Sequence, residues 1–313
     1  MNKYIFYIPL SLTGLFFTFY FLLASLPNFL SVDPGYAIGD ISRWCERISG
    51  GFFREPANAL SNIGFMITGL YMFWILANEK KFEGSRFHGP TLTALTYAGA
   101  AFFLGPGSLL MHGTHTEWGQ WADWLSMIMW ISIPWLVNIF TINNWRESLF
   151  VKTYLIVIGL YGLLSWFLDT DLGINFNFWF LSISLWTITE VLQTFYSKPL
   201  RLLSGFVGIA VLAVFGKFPS EIISNFSEYW WVILFWVPAL FINEKHNSNK
   251  KYFPWYWLGI LFYISAWIIW LQGYPEKPYC NPDSIFQPHA IWHILSSCAT
   301  LSFFFFFRTA TTK

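Results

Sequence analysis

Apolar segments about as long as a bilayer is thick recur along the whole chain. A transmembrane helix needs roughly 20 consecutive apolar residues, and several runs come near that length. The runs lie near 4–26, 57–77, 91–112, 119–140, 151–168, 174–196, 201–215, 228–242, 254–272 and 286–307. We therefore predict an all-α, polytopic transmembrane helix bundle of about ten spans. The runs 201–215 and 228–242 are the shortest.

The composition excludes a soluble globular domain. Hydrophobic residues make up 55% of the chain and charged residues only 11%, whereas soluble domains carry about 25% charged residues. The formal net charge of +1 gives no basic surface for nucleic acid. No Gly-rich phosphate loop follows a strand. The chemistry of this chain must therefore be sought inside the membrane.

The first apolar run follows Met1, Asn2 and Lys3. It is longer than the apolar region of a cleavable signal peptide, which is roughly 7–15 residues. We predict a retained anchor helix. A signal peptide remains an alternative, because Ala24-Ser25-Leu26 weakly resembles a cleavage site.

Lysine and arginine predict the orientation of the chain, because they concentrate in cytoplasmic loops. With a cytoplasmic amino terminus, most of the 18 lysines and arginines fall on the cytoplasmic side. The exceptions are Arg43, Arg47, Arg54, Lys217 and Lys277. Both termini are therefore predicted to be cytoplasmic.

Histidines at the ends of two apolar runs predict a metal site. His289 and His293 are four residues apart, so they share one face of a helix. His112 ends an earlier run, and Asp123 begins the next. The predicted orientation brings all four to the same, extracytoplasmic level. Three neutral histidines with an open fourth position are the ligand set of a catalytic zinc.

Other residues have simpler interpretations. A single histidine near a helix end is most often interfacial or a satisfied core residue. His115 is within one turn of His112 and competes with it as a ligand, but its polar surroundings predict an exposed loop residue. His88 and His246 are predicted to lie in cytoplasmic loops.

Two further features are interpreted as structural. Glu190 lies inside an apolar run but close enough to Lys198 for its carboxylate to snorkel to the membrane surface, with a functional charge as the alternative. The run Phe303–Phe307 is predicted to face lipid.

Four blocks of sequence carry a resemblance to a known family. They are Trp44-Cys45-Glu46; Glu55-Pro56-Ala57-Asn58 with Ser61-Asn62; Gly107-Ser108 through His112 with Gln120 and Asp123; and Cys280 with Gln287-Pro288-His289 through His293 to Ser296. With these blocks the chain resembles the alkaline ceramidases. That family belongs to the membrane hydrolase superfamily that also holds the progestin and adipoQ receptors.

The resemblance implies a seven-helix core. Additional helices would then be the amino-terminal one and an inserted helical hairpin near 201–242. The implied organisation is an amino-terminal transmembrane anchor over 1–30, an outer loop over 31–56 and the hydrolase core over 57–313.

The resemblance also implies a function and a set of site residues. His112, His289 and His293 would hold Zn²⁺, with Ser108 and Asp123 beside it as catalytic residues. Asp123 would accept the proton of the attacking water, and Ser108 would donate to the developing oxyanion. The chain would be a ceramidase-like zinc amidohydrolase acting on linear amides. Its substrate would be an N-acyl sphingoid lipid entering from the bilayer, cleaved to a fatty acid and a sphingoid base.

Animal relatives also carry a calcium site near the amino-terminal block. Here Arg43 and Ile48 occupy places where ligands would be expected. Glu46, Glu55 and Asn58 remain as oxygen ligands, fewer than the six to eight that calcium prefers. We do not expect bound calcium.

Cys45 and Cys280 both fall on outer loops in the predicted topology. In an oxidising compartment we predict a disulfide between them, with two unpaired interfacial thiols as the alternative. Cys298 lies in the last apolar run and is predicted to be a buried thiol.

Three functions remain open at this point. The first is a zinc-dependent intramembrane amidase. The second is a receptor-like lipid sensor of the adipoQ receptor type, and the third is a zinc or proton transporter. The oligomeric state is not predicted.

Overall fold

A computed structural model of the chain describes residues 2–82, 84–245 and 248–312. His246, predicted to be a loop residue, lies outside the described residues. The chain forms two compact units: one comprises residues up to Ser126 together with Asn249–Thr312, and the other comprises Met127–Ser248. The predicted boundaries at 30/31 and 56/57 and the predicted inserted hairpin remain predictions.

The regular secondary structure of the described residues is almost entirely helical, as predicted. The helices are α1 (Tyr4–Ala24), α2 (Pro56–Ser61), α3 (Ile63–Asn78), α4 (Leu92–Thr114), α5 (Glu117–Ile142), α6 (Glu147–Leu168), α7 (Phe178–Phe195), α8 (Lys198–Val214), α9 (Pro219–Ser224), α10 (Phe226–Tyr229), a 3₁₀ helix (Trp230–Trp236), α11 (Val237–Phe241), α12 (Trp255–Leu271) and α13 (Pro288–Arg308). Two dipeptide strands, β1 (Ser248–Asn249) and β2 (Thr311–Thr312), pair with each other.

Six helical segments in the described residues are long and apolar enough to cross a membrane. They are Tyr4–Ala24, Pro56–Asn78, Leu92–Thr114, Glu117–Ile142, Glu147–Leu168 and Pro288–Arg308. Helices α8 and α12 have 17 residues each, which rise about 25 Å against a hydrocarbon core of about 30 Å. The chain is thus an integral membrane protein, while the predicted ten spans and seven-helix core are not confirmed.

Helix α13 lies at the centre of the first unit, where it packs against α2, α3, α4 and α12. This position explains why the prediction for Phe303–Phe307 was wrong. Phe303, Phe304, Phe306 and Phe307 are at most 2% exposed. Lipid and protein interiors are equally apolar, so a run of phenylalanines does not distinguish a helix surrounded by helices from one surrounded by lipid.

Close packing of α4 against α3 brings the end of α4 to the outer loop. A Cβ atom at Gly105 would lie only 2.9 Å from the Asn62 carbonyl oxygen, and one at Gly69 would lie 2.7 Å from the Phe102 Cα. Small residues at such contacts let helix backbones approach closely in membranes. The approach places the last turn of α4 beside α2.

Backbone hydrogen bonds then fix the last turn of α4. Three carbonyl groups at its end accept from N–H groups of the loop between α1 and α2. These bonds are Glu55 N to His112 O at 2.9 Å, Arg54 N to Gly113 O at 3.0 Å and Ser31 N to Thr114 O at 2.8 Å. Carbonyls that a helix end leaves unpaired are satisfied here by the loop, so loop and helix end form one rigid assembly.

The second unit contains a buried polar cluster. Glu190 on α7 is 5% exposed, and its Oε1 accepts from Asn138 Nδ2 at 2.9 Å and from Trp186 Nε1 at 3.3 Å. The prediction that Glu190 snorkels was therefore wrong. Internal donors satisfy its carboxyl group, so it does not need the membrane surface.

Candidate metal centre

Three histidines from two helices meet in the first unit. His112 comes from the last turn of α4, while His289 and His293 come from the first two turns of α13. Their side chains are almost completely buried, with exposures of 1%, 5% and 4% for His112, His289 and His293. One nitrogen of each lies within 4.8 Å of the others. Buried imidazoles this close together form a group that could hold a metal ion.

The outer ring nitrogens show which nitrogens face inward. His293 Nδ1 donates to the Asn58 carbonyl at 3.2 Å, because a carbonyl oxygen only accepts. The Ser61 hydroxyl, which donates to that same carbonyl, also lies 2.8 Å from His293 Nδ1. His112 Nδ1 donates to the Glu55 carboxylate. In the neutral rings of His112 and His293 the Nε2 atom is therefore unprotonated and presents a lone pair.

The inward nitrogens converge in the pattern that a metal requires. His112 Nε2 and His289 Nε2 are 3.1 Å apart. Metal-bound histidines commonly donate their other ring N–H to a carboxylate or a backbone carbonyl, which orients the ring and fixes the tautomer. The partners of His112 and His293 are of these two kinds. The residues present thus fit a zinc ion.

Ser108 and Asp123 lie beside the histidines. Ser108 is one turn before His112, and its Oγ is 3.5 Å from His293 Nε2. Asp123 shares a hydrogen bond with Ser108 and lies close enough to His112 to interact electrostatically. The structure therefore brings together all five residues that the sequence predicted for the zinc site.

A tryptophan side chain packs against His289. The Trp44 ring stacks on His289, with centroids 4.3 Å apart and an interplanar angle of 27°. The next residue, Cys45, forms a disulfide with Cys280. Arg47 forms a bidentate ion pair with Asp283, with nitrogen–oxygen distances of 2.7 and 2.9 Å. These links hold Trp44 against the loop that precedes α13.

Cys298 is the free cysteine among the described residues. It is half-buried, whereas the sequence predicted a buried thiol.

The residues considered for calcium are engaged by donors of this chain. Glu46 accepts from the backbone N–H groups of Ala57 and Asn58 at 2.7 and 2.8 Å. Glu55 accepts from His112, from Asn58 Nδ2 at 3.1 Å and from His115 Nε2 at 3.2 Å. Asn58 Oδ1 is the oxygen left without a hydrogen-bond partner. This set does not fit calcium, which requires six to eight oxygens.

The prediction for His115 was wrong. This residue was expected to be an exposed loop residue, but it is 7% exposed and contacts Glu55. It terminates α4 in the left-handed region with φ of 51°. Sequence reasoning also missed the contacts that Trp44 and Ser61 make with the histidines, although both residues stand in the blocks that carry the family resemblance. For His115 the only signal was its spacing of three residues from His112.

A family model described as Ceramidase matches residues 42–313 of the chain. The chain belongs to the ceramidase family. No curated protein matched it. All the residues of the candidate metal centre in this ceramidase fall within the matched range.

Two carboxyl groups of the ceramidase have shifted pKa values for different reasons. Burial raises the pKa of Glu46 to about 7, although the backbone donors Ala57 and Asn58 oppose the rise. Burial alone would raise the pKa of Glu55 as well, but His112 and His115 hold that pKa well below its usual range. Glu55 is thus a carboxylate, and Glu46 titrates near neutral pH.

The Glu46 shift predicts a pH-dependent stability. An acid with a raised pKa in the folded state favours folding below its unfolded pKa of about 4.5, and this advantage is lost as pH rises toward about 7. The variant Glu46→Gln resembles the protonated form at every pH. Wild type should therefore lose thermal stability relative to Glu46→Gln between pH 4.5 and 7, measured by tryptophan fluorescence during unfolding in detergent. A difference that stays constant with pH would contradict the prediction.

Proposed function

We propose that the chain is a zinc-dependent intramembrane amidase that hydrolyses the N-acyl bond of ceramide-like lipids to a fatty acid and a sphingoid base. One observation carries the zinc dependence. Three buried histidines converge, and two of them have their outer nitrogens fixed by a carboxylate and a carbonyl. Family membership supports the reaction. It does not favour the receptor-like lipid sensor or the zinc or proton transporter.

His112, His289 and His293 would hold the ion. Zinc, when bound, supplies a Lewis acid for the amide carbonyl and acidifies a water to a pKa of about 7. Asp123 would take the proton of the attacking water and return it to the leaving amine, so that the products are a carboxylic acid and a free sphingoid base. Ser108, which hydrogen-bonds to Asp123 and faces His293, would donate to the carbonyl oxygen as negative charge develops.

The site is proposed to lie toward the extracytoplasmic side, with both termini cytoplasmic. The Cys45–Cys280 disulfide supports this orientation, because disulfides persist in oxidising compartments. Arg43, Arg47 and Arg54, which the charge distribution placed outside, belong to the same loop. The lipid substrate would reach the histidines from the bilayer.

The test is hydrolysis by purified, zinc-analysed protein of a panel of N-acyl lipids, followed by mass spectrometry. Long-acyl ceramides should have a higher kcat/KM than N-acetyl forms, because binding of the remote chain helps to orient the amide. Release of a fatty acid together with the free amine would identify amide hydrolysis. Equal kcat/KM for acetyl and long-acyl forms would count against a lipid enzyme, and no hydrolysis of any N-acyl lipid would overturn the proposal.

A further inference from the structure

The end of α4 carries a buried histidine that the proposed reaction does not use. His115 is the residue at which α4 ends, and its left-handed backbone is uncommon for residues other than glycine. The turn that precedes it is held in place, because the carbonyls of His112, Gly113 and Thr114 all accept from the outer loop. The side chain of His115 is 4% exposed and contacts Glu55.

Glu55 connects His115 to the metal centre. Its side chain is 1% exposed, and a carboxylate buried to this degree is costly unless donors satisfy both oxygens. Oε2 accepts from His112 and from Asn58, and Oε1 lies 3.2 Å from His115 Nε2. Among the described contacts, the His115 ring provides the partner of Oε1. Without it, one oxygen of a buried carboxylate would lack a donor.

The contact with His115 also determines which way Glu55 points. A carboxylate is planar, so holding Oε1 and Oε2 at two separate donors fixes its rotation. The His112 N–H that donates to Oε2 then sets the ring orientation of His112 and leaves Nε2 free toward His289. Loss of an outer partner of this kind commonly weakens metal affinity by ~10–100-fold.

A small cavity adjoins His115. His115 Nδ1 is buried and has no hydrogen-bond partner in the described part of the chain. It lies 4.0 Å from Asp33 Oδ2, and both residues line this cavity together with Glu55 and His112. Of the described side-chain ion pairs of His115, the one with Glu55 leads to the candidate metal centre.

We propose that His115 is a positioning residue of the metal centre, which holds Glu55 so that Glu55 fixes the ring and the tautomer of His112. The proposal rests on the proposed zinc site but not on the identity of the substrate. It assigns to a residue three positions after a metal ligand the task of supporting that ligand through a carboxylate.

The test compares His115→Leu, which cannot donate, with His115→Gln, whose amide can still donate to Glu55. Zinc affinity is measured by competition with a chromogenic chelator, and the cobalt absorption spectrum reports the coordination geometry. We expect His115→Leu to weaken zinc binding ~10–100-fold and His115→Gln to stay within a few-fold of wild type. The control is His88→Leu. His88 lies in another loop, where it hydrogen-bonds to Ser85, so this substitution should leave the zinc affinity unchanged.

A double-mutant cycle with Glu55→Gln separates positioning from general damage. If His115 acts through Glu55, adding His115→Leu to Glu55→Gln should have little further effect on zinc affinity. Additive losses, or wild-type affinity in His115→Leu, would overturn the inference. Should His115→Leu fail to fold, a wild-type affinity and cobalt spectrum in His115→Phe would overturn it equally. Wild-type protein that binds zinc but hydrolyses no lipid would refute the proposed amidase and leave this inference intact.

Discussion

Replacing His293 by alanine is expected to remove bound zinc and to reduce hydrolysis to background. The substitution deletes one of three converging nitrogens and leaves the two remaining histidines without the geometry for a tight site. It also removes the contacts that His293 Nδ1 makes with the Asn58 carbonyl and the Ser61 hydroxyl. His112→Ala and His289→Ala should have the same combined effect.

Zinc content by mass spectrometry, measured beside turnover of a long-acyl ceramide, checks this prediction. His88→Ala is the matched control, because His88 also belongs to the first unit but lies outside the histidine group. It should keep both zinc and activity. Full activity in His289→Ala and His293→Ala would eliminate the zinc hydrolase proposal.

The histidine group was predictable because two simple rules place its members. The spacing of His289 and His293 puts both on one helix face, and α13 confirms that they occupy its first two turns. His112 required long-range information, which came from counting the direction of each apolar run. The membrane restricts a chain to a few arrangements. The structure brings the His112 ring to the other two, while the predicted orientation stays a prediction.

The burial of His115 could not be predicted in the same way. The contact of His115 with Glu55 depends on a left-handed residue at the end of α4 and on three loop hydrogen bonds to that helix end. Neither the left-handed residue nor the loop hydrogen bonds produce a periodic pattern in the sequence. Polar neighbours in the sequence suggested an exposed loop, but the chain between α1 and α2 folds over this segment and buries it.

Hydropathy was informative about helices and much less so about their surroundings. It located the long apolar helices, although the run 228–242 is divided into α10, a 3₁₀ helix and α11. It assigned Phe303–Phe307 to lipid, whereas Phe303, Phe304, Phe306 and Phe307 are buried in the first unit. It likewise treated Glu190 as a surface charge. The buried partner Asn138 lies more than fifty residues away and could be recognised only in the fold.

Asp123→Asn is expected to separate chemistry from metal binding. The substitution keeps the size of the side chain and its hydrogen bond with Ser108, but an amide cannot take the proton of the attacking water. Zinc should remain bound while kcat falls ~10²–10⁴-fold, the usual loss for a general base. Ser108→Ala should also keep zinc, with a loss of up to ~10²–10³-fold if its hydroxyl stabilises the oxyanion.

A different role for Asp123 would give a different result. If Asp123 only orients a metal ligand, Asp123→Asn should weaken zinc affinity ~10–100-fold, and saturating zinc should restore much of the activity. Chelator competition and turnover at saturating zinc, measured on the same preparation, distinguish the two roles. Asp169→Asn, at the end of α6 in the second unit, is a matched control that should change neither quantity. Near-wild-type turnover in Asp123→Asn at full zinc occupancy would remove Asp123 from the proton transfer, and the base would then have to be sought elsewhere around the three histidines.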